Sequence, residues 1–289
     1  MLPLCQVIPH TYGQPFDLNS QGEPSFLFTV RSLALRNHAG EVSWPGGVFD
    51  PDMDVDKDDT YTMGDIPSVR QLQNAAIRET LEELPSLAGI SKNGHGSIEV
   101  IGRMSPVPDK TRTIQVSPFV GYIGTVIAFH HPSSIIAPTC LSLEQSHSSL
   151  DPIFATSTNE KCTYYHCSPN MRETRKIEWG PDEVSAVFTM SLKDLSRLSL
   201  QQWITQRSQF TMPVWCGPPK SLHMHTGAII NDDSSSNDEV FRGNNVMVDG
   251  EGVECFRVWG LTAGTLGYFL RHNVKGFREI LTEPAKSKL

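Results

Sequence analysis

The sequence predicts an α/β fold from three observations: apolar, β-branched runs of strand length, one sharply delimited helix between the first two runs, and frequent Gly and Pro punctuation. Strands are expected over about Phe26 to Leu35, Glu99 to Arg103 and Ile114 to Phe129, the last broken at Ser117-Pro118 and at Gly121. The helix is expected from Ser68 to Leu84, because Pro85 cannot continue the backbone ladder. Three segments read as insertions. Residues 52–68 are acidic and turn-rich, with Gly64 and Pro67. Residues 130–176 are rich in Ser, Pro, Thr, His and Asn without sustained periodicity, so the segment is expected to be largely irregular or mobile. Residues 230–252 carry the hydrophilic run Asn231 to Asp238, followed by Gly243, Gly250 and Gly252. On this reading residues 1–289 form a single domain with long loop insertions.

Composition narrows the function classes. With 289 residues, 38% of them hydrophobic, the chain can build a sizeable core. Its formal net charge of -8 argues against a general nucleic-acid surface, which would show a basic stripe. A few local arginines can still reverse the field around a nucleotide-like ligand. No run approaches 18 apolar residues, so no membrane span is expected. Residues Met1 to His10 lack the basic and long apolar stretches of a secretory signal. The six cysteines, at 5, 140, 162, 167, 216 and 255, show no CxxC pairing, and Cys162, His166 and Cys167 have no second half with which to close a zinc site. Free thiols are expected.

The chemistry concentrates in Arg78-Glu79-Thr80-Leu81-Glu82-Glu83. Helix neighbours three and four apart share a face, so Glu79 is expected beside Glu82 and Glu83. Carboxylates held this close repel unless a hard divalent cation such as Mg2+ or Mn2+ compensates them, and a diphosphate is the natural substrate for that cation. The same spacing is common on solvated helix faces. What sets this helix apart is the upstream Trp44-Pro45-Gly46-Gly47 turn, with Asp50, Asp52 and Asp54 just after it.

Together these residues resemble the Nudix hydrolases, whose box joins a Gly loop to an Arg-Glu-aliphatic-x-Glu-Glu helix. The resemblance implies an α/β/α sandwich with a mixed central sheet. It implies that Glu79, Glu82 and Glu83 hold the metal, that Arg78 orients a carboxylate, and that Gly47 opens the loop beside the substrate. Thirty residues, 48 to 77, separate Gly47 from Arg78, about 17 more than in the family pattern. The box's middle acidic position, counted from Gly47, falls on Met53, leaving Asp52 or Asp54 to serve. The glycine that usually ends the helix is replaced by Pro85.

A narrower resemblance lies upstream. Arg31, Ser32, Arg36, His38 and Gly40, running into Pro45-Gly46-Gly47, resemble the coenzyme A diphosphatase branch, which implies hydrolysis of coenzyme A or acyl-CoA to 3′,5′-ADP and (acyl-)4′-phosphopantetheine. Guanidinium forks suit the phosphates of such a substrate, making Arg31 and Arg36 candidate binding residues. Each could instead be a strand-edge arginine in a surface ion pair, and His38 a structural histidine. Lys110 and Arg112 are further candidates that could equally be loop charges. Pro181-Asp182-Glu183-Val184 and Phe256 to Ala263 also resemble this branch. There Gly260 is expected to turn the chain and Thr262 to cap the closing helix. An extra carboxylate from outside the box is open between Glu178, Asp182 and Glu183. Trp44 and Phe49 are read as core aromatics or as a platform for the adenine or acyl portion.

The last three residues, Ser287, Lys288 and Leu289, match the address read by the peroxisomal import receptor, so the expected location is peroxisomal. Two other readings remain. The chain could be a diphosphatase of another nucleotide, such as reduced NAD, since the box reads only the diphosphate and metal. It could also be a non-catalytic ligand-binding module, given the altered box.

Overall fold

The computed structural model describes residues 1–11, 22–87, 98–108, 114–130, 141–142, 162–167, 173–195, 201–206, 210–219, 246–248 and 254–273. In chain order the first strands are β1 (Leu2–Thr11), β2 (Glu23–Arg31), β3 (Val42–Ser43) and β4 (Glu99–Arg103). The ribbon of β5 (Val107–Pro108) and β6 (Gln115–Val116) follows, and then the long β7 (Phe119–His130). Further on come β8 (Leu141–Ser142), β9 (Cys162–Cys167), β10 (Glu173–Lys176) and β11 (Val184–Ser191). A second sheet is built from β12 (Gln201–Gln206), β13 (Phe210–Pro219), β14 (Val246–Val248) and β15 (Glu254–Val258). The helices are α1 (Pro51–Asp54), α2 (Val69–Glu83), α3 (Leu192–Leu195) and α4 (Gly260–Asn273).

The central sheet runs β11-β2-β1-β7-β9-β10-β8, with β3 on β2 and β4 on β7. It is mixed because β1 lies parallel to β7 and antiparallel to β2. Alternation along β2 sorts its side chains onto two cores. Phe26, Phe28 and Val30 join Ala186, Phe188, Leu266 and Leu270, the last two from α4. Leu27 joins Val187, Ile123, Val126 and Ile77, the last from α2. Helices on opposite faces of a mixed sheet give the expected α/β/α arrangement.

The expected strands are found with shifted ends. Strand β2 begins at Glu23 and ends at Arg31, and β4 spans Glu99–Arg103. Ser117-Pro118 does separate β6 from β7. Gly121, however, lies inside β7, and the register slips further along, near Gly124, whose φ is 88°. A bulge disturbs a ladder without ending it. Within residues 130–176, β8, β9 and β10 extend the sheet beyond β7, and residues 131–140, 143–161 and 168–172 lie outside the described residues. Their sequences lack the apolar alternation that marks a half-buried strand. Within 230–252, β14 is described; the run Asn231 to Asp238 and the tripeptide 287–289 lie outside the described residues. Strand β1, which no motif marked, occupies the middle of the sheet.

Helix α2 starts where its sequence dictates. Ser68 Oγ accepts from Gln71 N at 3.3 Å and Gln71 Oε1 accepts from Ser68 N at 2.8 Å, a reciprocal capping box. It ends at Glu83 with Leu84 as its C-cap, and Pro85 opens a single 3-10 turn. Helix α4 begins at Gly260, whose φ of 62° suits glycine. Thr262 does not cap it. Its buried hydroxyl donates to Val42 O at 3.0 Å and ties α4 to β3. Trp44 reinforces that tie, donating to Thr262 O and Thr265 Oγ1 while stacking on Phe28 at 4.3 Å. It is therefore a core residue, and the ligand-platform alternative fails for it.

Candidate active site

The site forms where the turn 44–50 crosses α2. Asp50 caps α1, accepting from Asp52 N at 2.9 Å, with Pro51 at the first helical position. This short helix turns Asp54 inward. Asp54 is 0% exposed, whereas Met53 is 65% exposed and Asp52 is exposed. Asp54 takes a two-pronged contact from Arg78: Nε to Oδ1 at 2.8 Å and Nη2 to Oδ2 at 3.0 Å. Arg78 Nη2 also donates to Val48 O at 3.1 Å, and Nη1 reaches Glu79 Oε1 at 2.9 Å and Glu82 Oε2 at 3.2 Å. Arg78 thus links the turn, the start of the excursion and two box carboxylates. Of the two aspartates left open by the sequence, Asp54 makes the contact.

Gly47 is small for a visible reason. A Cβ built there would stand 2.3 Å from the Glu79 carboxyl carbon and within 2.4 Å of both oxygens. Glu79 therefore lies between Arg78 and the Gly47 backbone. Burial raises its pKa, opposed by Arg78. Glu83 is only 5% exposed and accepts from Gly46 N at 3.0 Å. Burial pushes its carboxyl up to about 7, against the Gly46 hydrogen bond and the charges of the amino terminus and Arg31. The Met1 amine donates to Pro45 O.

A fourth carboxylate belongs to this group. Glu183 raises the pKa of both Glu79 and Glu83 through its charge. Its backbone is fixed from two sides: its carbonyl accepts from Ser32 N at 2.8 Å, and Gly180 N, in the turn before it, donates to Glu83 O at 3.0 Å. Glu178 is tied through its main chain to Ser86, and Asp182 and Glu183 are both exposed. The electrostatics single out Glu183 from the three candidates.

Among the described residues no three His, Cys, Asp or Glu side chains stand close enough to hold a metal ion as they are. The carboxylates on one face of α2 are engaged separately: Glu79 and Glu82 by Arg78, Glu83 by Gly46 N. The donor set nevertheless fits a hard divalent cation in kind. It offers carboxylate oxygens only, and the pKa of Glu79 and Glu83 is raised chiefly by burial and to a lesser extent by neighbouring carboxylates, both of which a bound cation would oppose.

Arg31 ends β2 opposite Val184, the residue after Glu183. Its Nε is buried without a hydrogen-bond partner among the described residues, and its charge acts on Glu83. The following loop is shaped by backbone bonds from Arg31 N to Glu41 O and from Gly40 N to Arg31 O, with φ of 58° at His38 and 71° at Gly40. His38 pairs with Glu41 at 3.1 Å, on the exposed side, which is a structural role. Arg36 is exposed on this loop. Phe49 is half-buried with its ring against Tyr61 at 5.2 Å. Lys110 and Arg112 lie outside the described residues, as do the side chains of Cys162, His166 and Cys167. Cys5 is buried and free, and burial pushes its thiol up. No helix of the described residues is long and apolar enough to cross a membrane.

Comparison with known proteins agrees with this geometry. The chain is similar to the uncharacterized Nudix hydrolase NudL of Escherichia fergusonii, at 37% identity over 111 residues, covering 37% of this chain and 44% of that protein. It is similar to NudL of Yersinia enterocolitica at 34% identity over 108 residues, 37% of this chain and 43% of the relative. It is also similar to Nudix hydrolase 3 of Caenorhabditis elegans at 35% identity over 203 residues, 70% of this chain and 56% of the relative. The chain thus spans about half the length of the curated relatives it matches. No protein-family model matches it. The names of these relatives support the Nudix superfamily for this chain.

Proposed function

We propose that this protein is a Nudix diphosphatase that hydrolyses the diphosphate bond of coenzyme A or its acyl esters, giving 3′,5′-ADP and 4′-phosphopantetheine or its acyl form. The observation that carries the hydrolase reading is the Gly47–Glu79–Arg78–Asp54 chain of contacts, in which a glycine admits a carboxylate and a clamped arginine orients it. The coenzyme A reading rests on the Arg31 to Gly40 string, whose first guanidinium stands beside Glu83 with Nε unpartnered. That group suits a substrate phosphate, and Arg36, Lys110 and Arg112 are proposed to assist it.

Glu79, Glu82 and Glu83 would hold Mg2+ or Mn2+, which when bound supplies Lewis-acid charge neutralisation of the diphosphate. The protein's own part is orientation and proton transfer. Arg78 fixes Glu79 and Glu82, and Asp54 fixes Arg78. Arg31 binds phosphate oxygens. A carboxylate among Glu79, Glu83 and Glu183 accepts the proton of the attacking water, and the raised pKa of the first two brings them toward the working range of a base. Separately, Ser287-Lys288-Leu289 carries the proposal of peroxisomal import, tested by appending residues 283–289 to a fluorescent protein and following its location.

The test of the activity is incubation of coenzyme A, an acyl-CoA and reduced NAD with the protein, with and without Mg2+ or Mn2+, identifying products by mass. Metal-dependent release of 3′,5′-ADP, abolished in Glu82→Gln with substrate binding retained, supports the proposal. Cleavage of reduced NAD alone would move the substrate to another nucleotide. Binding without cleavage of any of the three would favour the ligand-binding module.

A further inference from the structure

We propose that the aromatic pair Phe49–Tyr61 and the exposed side chain of Val48 form the subsite for the acyl-bearing arm of the substrate, at the opposite end of the α2 carboxylate face from Arg31, an assignment that rests on the coenzyme A reading above. Its polarity comes from the path of the glycine turn along α2. Gly46 N bonds Glu83, a Cβ on Gly47 would meet Glu79, Val48 O accepts from Arg78, Asp54 O accepts from Asn74, and Asp56 pairs with Arg70. Each step of the turn meets an earlier residue of the helix. Glu83, at the far end of α2, feels the charge of Arg31, so the site has a guanidinium end and, past Val48, an aromatic end. The diphosphate of an acyl-CoA joins two unlike halves, a nucleotide with a further phosphate and an uncharged arm that ends in hydrocarbon. The phosphate-bearing half belongs beside the guanidinium. The apolar arm is left for the aromatic end.

The side chains at that end are not core. Among the described residues neither Phe49 nor Tyr61 joins either hydrophobic cluster, and the two half-buried rings meet each other edge-on at 5.2 Å. The excursion is folded back to hold Tyr61 there: its hydroxyl donates to Asp65 O at 3.3 Å, and Thr62 N donates to Asp65 Oδ2 at 3.1 Å. Val48 is 80% exposed although its carbonyl is held by Arg78. With Met53, Met63, Ile66 and Val69 it makes five of the nine large apolar side chains exposed among the described residues, all within 48–69. Scattered exposed apolar residues are ordinary, whereas a concentration of them beside a site marks a binding surface.

A ring pair that merely anchored the excursion would affect stability and leave the ranking of substrates unchanged. A subsite makes affinity depend on acyl length. One fully buried methylene is worth about fourfold, so the four that separate butanoyl- from octanoyl-CoA, half covered by this wall, give about 15-fold. The experiment measures binding of coenzyme A and these two esters by calorimetry without divalent cations, and kcat/KM for each with Mn2+, in the wild type, Val48→Ser, Phe49→Leu and Tyr61→Ala. The octanoyl-to-butanoyl ratio should fall to about threefold or less in Phe49→Leu and Tyr61→Ala, and by about twofold in Val48→Ser. Val48→Ser keeps the backbone carbonyl for Arg78 and changes an exposed side chain, so it reads the subsite even where an aromatic variant loosens the excursion. A flat ratio in the wild type, or one unchanged in all three variants, would overturn the proposal while cleavage of coenzyme A left the diphosphatase reading standing. Equal losses for coenzyme A and both esters would place the nucleotide half at the rings and overturn it as well. If no substrate is cleaved but binding still rises with acyl length and falls in the variants, the diphosphatase reading fails and the apolar subsite stands.

Discussion

Glu83→Gln should make the chain more stable at alkaline pH in the absence of divalent cations. The Glu83 carboxyl has a pKa of about 7 in the folded protein against an ordinary value of 4.5. A raised carboxyl binds more protons folded than unfolded, so stability falls as pH rises from 4.5 to 7 and stays lowered above 7. At about 1.4 kcal/mol per unit, this shift corresponds to about 3 kcal/mol. Glutamine keeps an oxygen for the Gly46 N–H but removes the buried charge. The stability difference between variant and wild type should therefore grow by about 3 kcal/mol between pH 4 and pH 8. The neighbouring amino terminus, whose own value is lowered to about 6 chiefly by burial and held up by the charge of Glu83, is coupled to this carboxyl and contributes to the same difference. Urea unfolding in EDTA across this range measures it, and Mg2+ at pH 8 should then stabilise the wild type more than the variant. A variant-minus-wild-type difference that does not change with pH would show that the Glu83 carboxyl is not raised on folding, its charge being compensated in the folded state.

Gly47→Ala should leave the fold intact and lower kcat by about 100-fold, the effect of an ångström-scale displacement in a site, because the new Cβ must push the Glu79 carboxylate aside; parallel melting and turnover assays separate the two effects. Ser68→Ala removes half of a capping box and should cost about 1 kcal/mol in chemical denaturation, with kcat unchanged. Trp44→Phe deprives Thr262 O and Thr265 Oγ1 of a shared donor and should cost about 1 to 3 kcal/mol; the wild-type unfolding midpoint would refute the core assignment. Arg31→Ala should raise KM for coenzyme A while leaving Mn2+ binding close to wild type, and an unchanged KM would remove Arg31 from the substrate site.

The parts legible in the sequence were those that local chemistry determines. The start of α2 follows from Ser68 and Gln71, its end from Pro85, and the strand Glu99–Arg103 from its punctuation. The carboxylate helix and glycine turn were equally visible, because their spacing is a property of one segment. What escaped depends on partners distant in the chain. The place of Thr262 is set by Val42, 220 residues away. Strand β1 gains its place only by pairing with both β2 and β7. Glu183 is brought to the group by the turn at Gly180, which bonds to the end of α2. Asp54 was left open beside Asp52, although an Asp followed by Pro is itself a helix-start signal, and one helical turn counted from Asp50 leads to the residue that faces Arg78.

That count also explains how the box accommodates its long excursion. The contacts that orient Glu79 come from Gly47, Val48 and Asp54 on one side and from Arg78 on the other, so the functional loop is closed within the first three residues of the excursion. The extra chain, from Val55 onward, leaves and returns through the Asp56–Arg70 pair at 2.8 Å and the Ser68 cap. Loop length adds little free energy when its ends are already fixed, and most of the residues between are exposed, Met63 and Ile66 among them. It follows that shortening the segment between Lys57 and Pro67 should change stability and Mn2+ binding far less than the single substitution Asp54→Asn. A shortened chain that loses Mn2+ binding as fully as Asp54→Asn would mean that the excursion itself, and not its sealed base, sets the site.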